Sequence, residues 1–350
     1  MNAKTPRHQG IAERQNKENS MASFLASWRL GVLFILGLTC AARAATDLKY
    51  SFGEAKDGYT QVLPTDSYTK DRGYGYDLGC NPTNGKPFFF SSKLAPGEYQ
   101  VTVTLGDPNA ETIATVRSET RRLMLQSVHV PPGQTRAFTF LVHVRVPQIP
   151  SGGVVKFKQR ESDPVLFVQW DEKTLVPFTE LDWDEKLTLE FGDKHPALKS
   201  IEITDAKSAV TVYLVGDSTM TDQMMEPWAA WGQMLPRFFT APVVVANYAE
   251  CGETTASFIG ENRWAKLLSE IHPGDYVLIQ FGINDQRMQV AQFKQYFIRF
   301  IEDTRKHGAT PVLVTSQNLK RLDANGKGVQ TLRNFPDAMK EAAKEQNVAL

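Results

Sequence analysis

Between Ala209 and Leu350, short apolar runs alternate with helical stretches, and this alternation leaves few folds open. The runs are Thr211–Val215, Val243–Tyr248, Asp275–Phe281, Thr310–Thr315 and a last one beginning at Val348. Helical patterns fall between them, near 226–239, over about 254–270, over 288–307 and from Pro336 to Gln346. Strands and helices joined by short connections predict a parallel, doubly wound sheet with helices on both faces. In such sheets the chemistry sits outside the carboxyl ends of the strands. The first run stops at Gly216 and is followed at once by Asp217, Ser218 and Thr219. Taken alone, a hydroxyl there reads equally well as a helix cap and as a nucleophile on a tight turn.

Upstream, from about Asp47 to Lys207, the pattern differs. Short alternating runs such as Tyr99–Leu105, Arg136–Val146, Val154–Lys158 and Lys186–Phe191 are broken by turn signals at Pro96-Gly97, Pro132-Gly133 and Gly152-Gly153. This is the signature of an all-β sandwich of antiparallel strands with one wet face. The expected organisation is therefore a leader over 1–44, a β-sandwich over 45–207 and an α/β domain over 208–350. Within the sandwich, Gly73–Asp77 and Pro87–Phe90 concentrate aromatic rings. Core packing is the preferred account of them, with a sugar-contacting surface as the alternative. His129, His143 and His195 lie in or beside these strands as structural histidines, with no metal-ligand spacing around them.

The leader is polar and basic over 1–20 and apolar over Leu30–Cys40, with small residues at Ala42 and Ala44. That reads as a signal peptide cleaved near Ala44, with Met21 or Met1 as the start, and places the protein outside the cytoplasm as secreted or periplasmic. The apolar segment is too short for a comfortable membrane span, so none is expected in the mature protein. The whole chain has 350 residues and a formal net charge of +0, which gives no reason to expect nucleic acid or an anionic membrane as partner. Three cysteines, Cys40, Cys80 and Cys251, make neither a disulfide framework nor a zinc site. Cys80 and Cys251 could pair in an oxidising compartment, but two independent buried thiols is the preferred reading for residues so far apart in sequence. The sequence leaves the oligomeric state open.

Three strand ends carry polar blocks: Gly216-Asp217-Ser218, then Asn247 leading to Cys251-Gly252-Glu253, then Gly282-Ile283-Asn284-Asp285. A parallel sheet brings these to one rim. Ser218 is then a candidate nucleophile, and the Ser218 N–H, the Gly252 N–H and the Asn284 side chain are candidate donors to an oxyanion. Asp217 is read as fixing the turn. Acyl transfer of this kind implies no metal and no organic cofactor.

With Tyr213–Met220, Trp231-Gly232-Gln233 and Phe281–Gln286 in place, residues 211–350 resemble the SGNH (GDSL-type) hydrolases, and within them the rhamnogalacturonan acetylesterase group. The resemblance implies a three-layer α/β domain, Ser218 as nucleophile, and Gly252 and Asn284 as oxyanion-hole donors. It implies a secreted carbohydrate O-acetylesterase acting on acetylated polysaccharide. A lipid or aryl esterase of the same fold and a carbohydrate-binding protein with a dead hydrolase domain are the alternatives. Three departures stand out. Ile283 replaces a histidine common at that place, making one wall apolar. Glu253 stands where arginine is often found, so an anion is expected near the site. The family's Asp-x-x-His block follows the fifth strand, and this sequence ends before it, so the α/β domain is expected to be incomplete and the chain as given inactive. His272 falls at the opposite rim and His307 at a helix C-terminus, where a cation suits the helix dipole; neither is a base for Ser218.

Overall fold

The computed structural model describes residues 45–80, 87–158, 164–167, 174–177, 181–224 and 226–350. The signal-peptide reading and Cys40 lie outside them. Strands β1 (Asp47–Phe52), β2 (Thr60–Val62), β3 (Tyr74–Asp77), β4 (Phe88–Lys93), β5 (Gly97–Leu105), β6 (Thr112–Ser118), β7 (Arg122–Val130) and β8 (Arg136–Val144) come first. A hairpin of β9 (Pro164–Phe167) and β10 (Thr174–Pro177) follows, then β11 (Lys186–His195) and β12 (Leu198–Asp205).

Apart from the hairpin, these strands form two five-stranded sheets, in the orders β2-β1-β12-β5-β8 and β3-β4-β11-β6-β7. Side chains from both sheets share one apolar core. Strand β5 shows why: Tyr99, Val101, Val103 and Leu105 are fully buried on one face while Gln100, Thr102 and Thr104 stay half-buried on the other, the period of two that a pleated strand imposes. Tyr50 of β1 meets Phe90 of β4 edge to face at 5.1 Å, and Phe88 stacks on Phe191 at 5.0 Å. Tyr76 and Phe88–Phe90 are thus core residues, accounted for by packing, while Tyr74 stays half-buried.

The expected wet face is absent from β4 and β11, which are buried on both faces along most of their length. The outer face of this sheet carries Phe89 packed with Leu181, and polar groups that bury against each other: Ser91 with Thr188 at 2.9 Å, and Lys186 with Asp77 at 2.7 Å.

The second half contains β13 (Val210–Gly216), α1 (Trp231–Met234), β14 (Val243–Asn247), α2 (Thr255–Gly260), α3 (Arg263–Leu268), β15 (Tyr276–Gln280), α4 (Val290–Lys306), β16 (Thr310–Leu313) and α5 (Phe335–Gln346). Its four strands form a parallel sheet in the order β14-β13-β15-β16. Tyr213 and Val215 of β13 enter one apolar cluster with the helices α4 and α5, and Val212 and Leu214 enter another with Met220. Burial on both faces explains the unbroken apolar run. Helix α4 buries Phe293, Phe297, Phe300, Ile301 and Thr304, a stripe at helical spacing. Ala349 bridges to Val312 beside β16.

Two helices are shorter than the sequence suggests. The one near 226–239 is a single turn at Trp231–Met234 that tightens into a 3-10 turn over Leu235–Phe238, because Pro236 has no N–H to continue an α-helix. The stretch 254–270 breaks into α2 and α3 where Asn262 takes a left-handed φ of 65°. Residues 45–350 form one compact unit. Among the described residues, no helix is long and apolar enough to cross a membrane.

Candidate active site

Strand β13 lies between β14 and β15, so the three polar blocks leave adjacent strands. Gly216 pairs with Gln280 and Leu214 with Asn247. Beyond Gly216 the chain turns sharply. The Asp217 carbonyl accepts from the N–H groups of Met220 (3.0 Å) and Thr221 (3.1 Å), while its buried carboxylate accepts from the Thr219 N–H (3.0 Å) and hydroxyl (2.9 Å). The carboxylate therefore fixes the turn, and burial raises its pKa. Ser218 is left half-buried at the apex. Among the described residues, its hydroxyl and its N–H have no hydrogen-bond partner, while its carbonyl accepts from Gln223 Nε2 at 2.8 Å.

The turn is braced on every side. Trp231 Nε1 donates to Gln280 Oε1 (2.7 Å), and Gln280 Nε2 donates to the Thr219 hydroxyl (3.0 Å). Asn247 Nδ2 reaches the Met220 carbonyl (2.9 Å) and Asp222 Oδ1 (2.8 Å). Gly232 packs so tightly that a Cβ there would lie 2.1 Å from the Met220 carbonyl oxygen, which accounts for the glycine between Trp231 and Gln233.

The second block closes on the first, and the third on the second. Glu250 N–H donates to the Gly216 carbonyl (3.2 Å), and Cys251 Sγ lies 3.7 Å from Gln223 Oε1. Gly252, exposed, takes φ 72°, a left-handed conformation that favours glycine. Its N–H donates to no described residue. Asn284 Nδ2 donates to the Glu253 carbonyl at 2.9 Å. One hydrogen of that amide is thus engaged and the second remains for another acceptor. Next to it, Asp285 Oδ1 accepts from the Thr255 N–H (2.8 Å) and hydroxyl (2.7 Å) at the start of α2. The structure therefore links the blocks of Ser218, Gly252 and Asn284 through hydrogen bonds. Ile283 is half-buried beside them.

Glu253 corrects an expectation. Its carboxylate is fully buried, ion-paired with Lys158 and accepting from the Ser257 hydroxyl at 2.6 Å. Lys158 Nζ also donates to the Cys251 carbonyl at 3.1 Å. No bare anion faces Ser218 from this position, because a lysine from the β-rich half neutralises it. Cys80 and Cys251 are not joined in a disulfide to each other, and both are half-buried where full burial was expected.

The loop between β6 and β7 reaches the same turn, with Glu119 and Arg121 at φ 51° and 58°. Arg121 Nη1 donates to the carbonyls of Gln223 (3.1 Å) and Trp228 (3.2 Å). Arg122 is buried and spans two carboxylates, Asp222 and Asp182, at 2.6 Å each. Sequence reasoning missed these residues, along with Thr219, Gln223, Gln280 and Lys158. The legible traces were a glutamine inside the apolar run Val277–Phe281 and an arginine pair inside a β-rich segment.

The five described histidines are engaged elsewhere. His129 meets Glu111, His195 meets Asp107, and buried His143 lies between Glu98 and Tyr248. Exposed His272 sits 4.0 Å from Asp275, and His307 Nδ1 meets the Asp303 carbonyl at the end of α4.

Asp285 sets a pH dependence. Burial, with a further contribution from Asp217, raises its pKa from 3.8 to about 6. The folded state thus holds this proton more tightly than the unfolded chain. Stability from this group is therefore highest below the unfolded value and falls as pH rises through the folded one, by about 3 kcal/mol in total. Asp285→Asn keeps an acceptor for Thr255 and cannot ionise. Urea midpoints measured from about pH 4 to pH 6 are expected to fall less steeply in the variant than in the parent; parallel slopes would count against this account.

A parallel sheet with a serine turn and amide donors at the strand ends is an arrangement suited to acyl transfer. A family model, the GDSL-like lipase/acylhydrolase family, matches residues 214–350. Rhamnogalacturonan acetylesterase RhgT of Bacillus subtilis is 42% identical over 148 residues, 41% of this chain and 64% of its own length. Probable rhamnogalacturonan acetylesterase YesY of the same organism is 33% identical over 151 residues, covering 40% of this chain and 68% of that one. Uncharacterized esterase YxiM, also from Bacillus subtilis, is 23% identical over 333 residues, 89% of this chain and 81% of its own. The solved structure of YxiM aligns with a TM-score of 0.41 at 22% identity, over 87% of this chain and 84% of that one. The chain belongs to the GDSL-like lipase/acylhydrolase family. It spans just under two thirds of the length of RhgT.

Proposed function

We propose that the protein is a secreted carbohydrate O-acetylesterase that removes acetyl groups from pectic, rhamnogalacturonan-type polysaccharide. One observation carries this reading: the Asn284 amide, bonded to the Glu253 carbonyl, belongs to the same hydrogen-bonded rim as the unengaged Ser218 hydroxyl and the free N–H groups of Ser218 and Gly252. The names of RhgT and YesY point to the substrate class. Secretion rests on the apolar stretch Leu30–Cys40 and the small residues at Ala42 and Ala44.

In this mechanism Ser218 Oγ attacks the acetyl carbonyl. The Ser218 and Gly252 N–H groups and Asn284 Nδ2 stabilise the developing oxyanion. Collapse of the tetrahedral intermediate releases the sugar hydroxyl and leaves an acetyl ester on Ser218, which water then cleaves. A histidine of an Asp-x-x-His block takes and returns the proton. No such block occurs within the 350 residues. The β-rich segment 45–207 serves as a sandwich module that braces the site and contacts polysaccharide.

With the block supplied, acetate release is expected to be faster on acetylated rhamnogalacturonan than on short-chain lipid esters. The opposite preference would favour a lipid esterase, to which the half-buried Ile283 lends some support. Asn284→Ala is expected to lower kcat by roughly a hundred- to a thousandfold with KM little changed. A loss confined to KM would remove Asn284 from the oxyanion site.

A further inference from the structure

Two depressions open on the β-rich half. The larger, of about 750 Å³, is lined by Tyr68, Lys70, Lys93, Trp183, Asp184 and Lys186, among others. The smaller, of about 380 Å³, is bounded by Asp47, Lys49, Arg72 and Tyr74, and again by Lys93; Lys49 pairs with Asp47 at 3.1 Å and Arg72 with Asp66 at 3.6 Å. Because Lys93 lines both, the two adjoin. Neither set of lining residues includes Ser218, Gly252 or Asn284.

The chemistry of the larger depression is layered. At its base, buried Lys186 Nζ is held 2.7 Å from Asp77 Oδ2 and lies 5.0 Å from the centre of the half-buried Tyr68 ring. Asp184 Oδ2 is 3.9 Å from the same ammonium, and burial raises the Asp184 carboxyl to about 7. Such a carboxyl accepts from hydroxyls when ionised and donates to them when protonated. Lys70 and Lys93 are exposed and form no ion pair with any described residue.

We infer that these adjoining depressions bind a segment of acidic polysaccharide, with a sugar ring against Tyr68, hydroxyls on Asp184, and uronate carboxylates at Lys70 and Lys93. The volume suits more than one sugar residue. A compact, multiply charged phosphate fits less well, because Asp184 and Glu185 share the wall with the lysines; a singly charged carboxylate spaced by hydroxyls matches the alternation of sign. This inference rests on the reading that the substrate is a pectic polymer, which the groove would hold while acetyl groups are removed elsewhere on the chain.

The test is isothermal titration calorimetry of the whole protein with an oligogalacturonate, with a neutral galacto-oligosaccharide and with inorganic phosphate. The expected result is saturable, salt-weakened binding of the oligogalacturonate alone. Tyr68→Ala, Lys70→Ala and Lys93→Ala should each weaken it about tenfold or more, a change of about 1.4 kcal/mol. The two lysine variants alter exposed side chains, so their loss of binding does not depend on refolding. Ser218→Ala should bind as the parent does, so failure of the esterase reading and failure of this one are read separately. Absence of binding at millimolar ligand, equal affinity for the neutral sugar, full competition by phosphate, or unchanged affinity in all three groove variants would each overturn the inference.

Discussion

Ser218→Ala is expected to lower acetate release from acetylated rhamnogalacturonan by a factor on the order of 10⁶, the loss seen when the nucleophile of a serine triad is removed. The comparison is made between serine and alanine forms of a chain that carries the Asp-x-x-His block. The backbone donors at Ser218 and Gly252 and the Asn284 amide survive the change, so a small residual rate over water remains. Fold stability should stay within about 0.5 kcal/mol of the parent. The Ser218 hydroxyl has no hydrogen-bond partner among the described residues, and the turn is held by Asp217, Thr219 and Gln280. Equal unfolding midpoints together with lost acetate release would isolate the chemistry. An alanine form that keeps a tenth of the parent rate would sink the assignment.

The second large effect concerns the buried ions between the two halves. Arg122 Nε and Nη2 each meet a carboxylate, Asp222 and Asp182, at 2.6 Å, and Nη1 donates to the His143 carbonyl at 3.2 Å. Arg145 shares Asp182 at 2.7 Å. Burial opposes the charge on Arg122, and the two carboxylates overcome it, leaving its pKa above the ordinary value. Arg122→Met would fill similar volume but strand Asp222 as an unpaired buried carboxylate, at a cost of roughly 3–5 kcal/mol. Denaturant unfolding at neutral pH reads this directly. Adding Asp222→Asn should restore part of the loss, since the orphaned charge is gone. Acetate release should fall as well, because Asp222 and Asn247 together anchor the turn that carries Ser218. A loss under about 1 kcal/mol would show that the network contributes little.

These two results differ in how far the sequence foresees them. Ser218, Gly252 and Asn284 stand out in the linear chain because each follows an apolar run, and a parallel sheet brings such ends to one rim. The strands β13 to β16, the long helix α4 and the period of two in β5 are legible for the same reason: burial writes its period into the side chains of a single element. The role of Asp217 is readable too, since its bonds run to Thr219, two residues away.

What only the tertiary structure decided involves partners far apart in the chain. Glu253 reads as an anion near the site until Lys158, 95 residues upstream, is found paired with it. Nothing local in either segment signals that contact. The same holds for Arg122 with Asp222, 100 residues apart, and for Asp285, whose partner Thr255 begins a helix on a neighbouring element. The both-sided burial of β4 and β11 likewise depends on what covers the sheet. Local pattern and turn chemistry determine which elements form and where their polar ends lie. Which charges are neutralised, and what braces the Ser218 turn, follow from packing between segments with no sequence period in common.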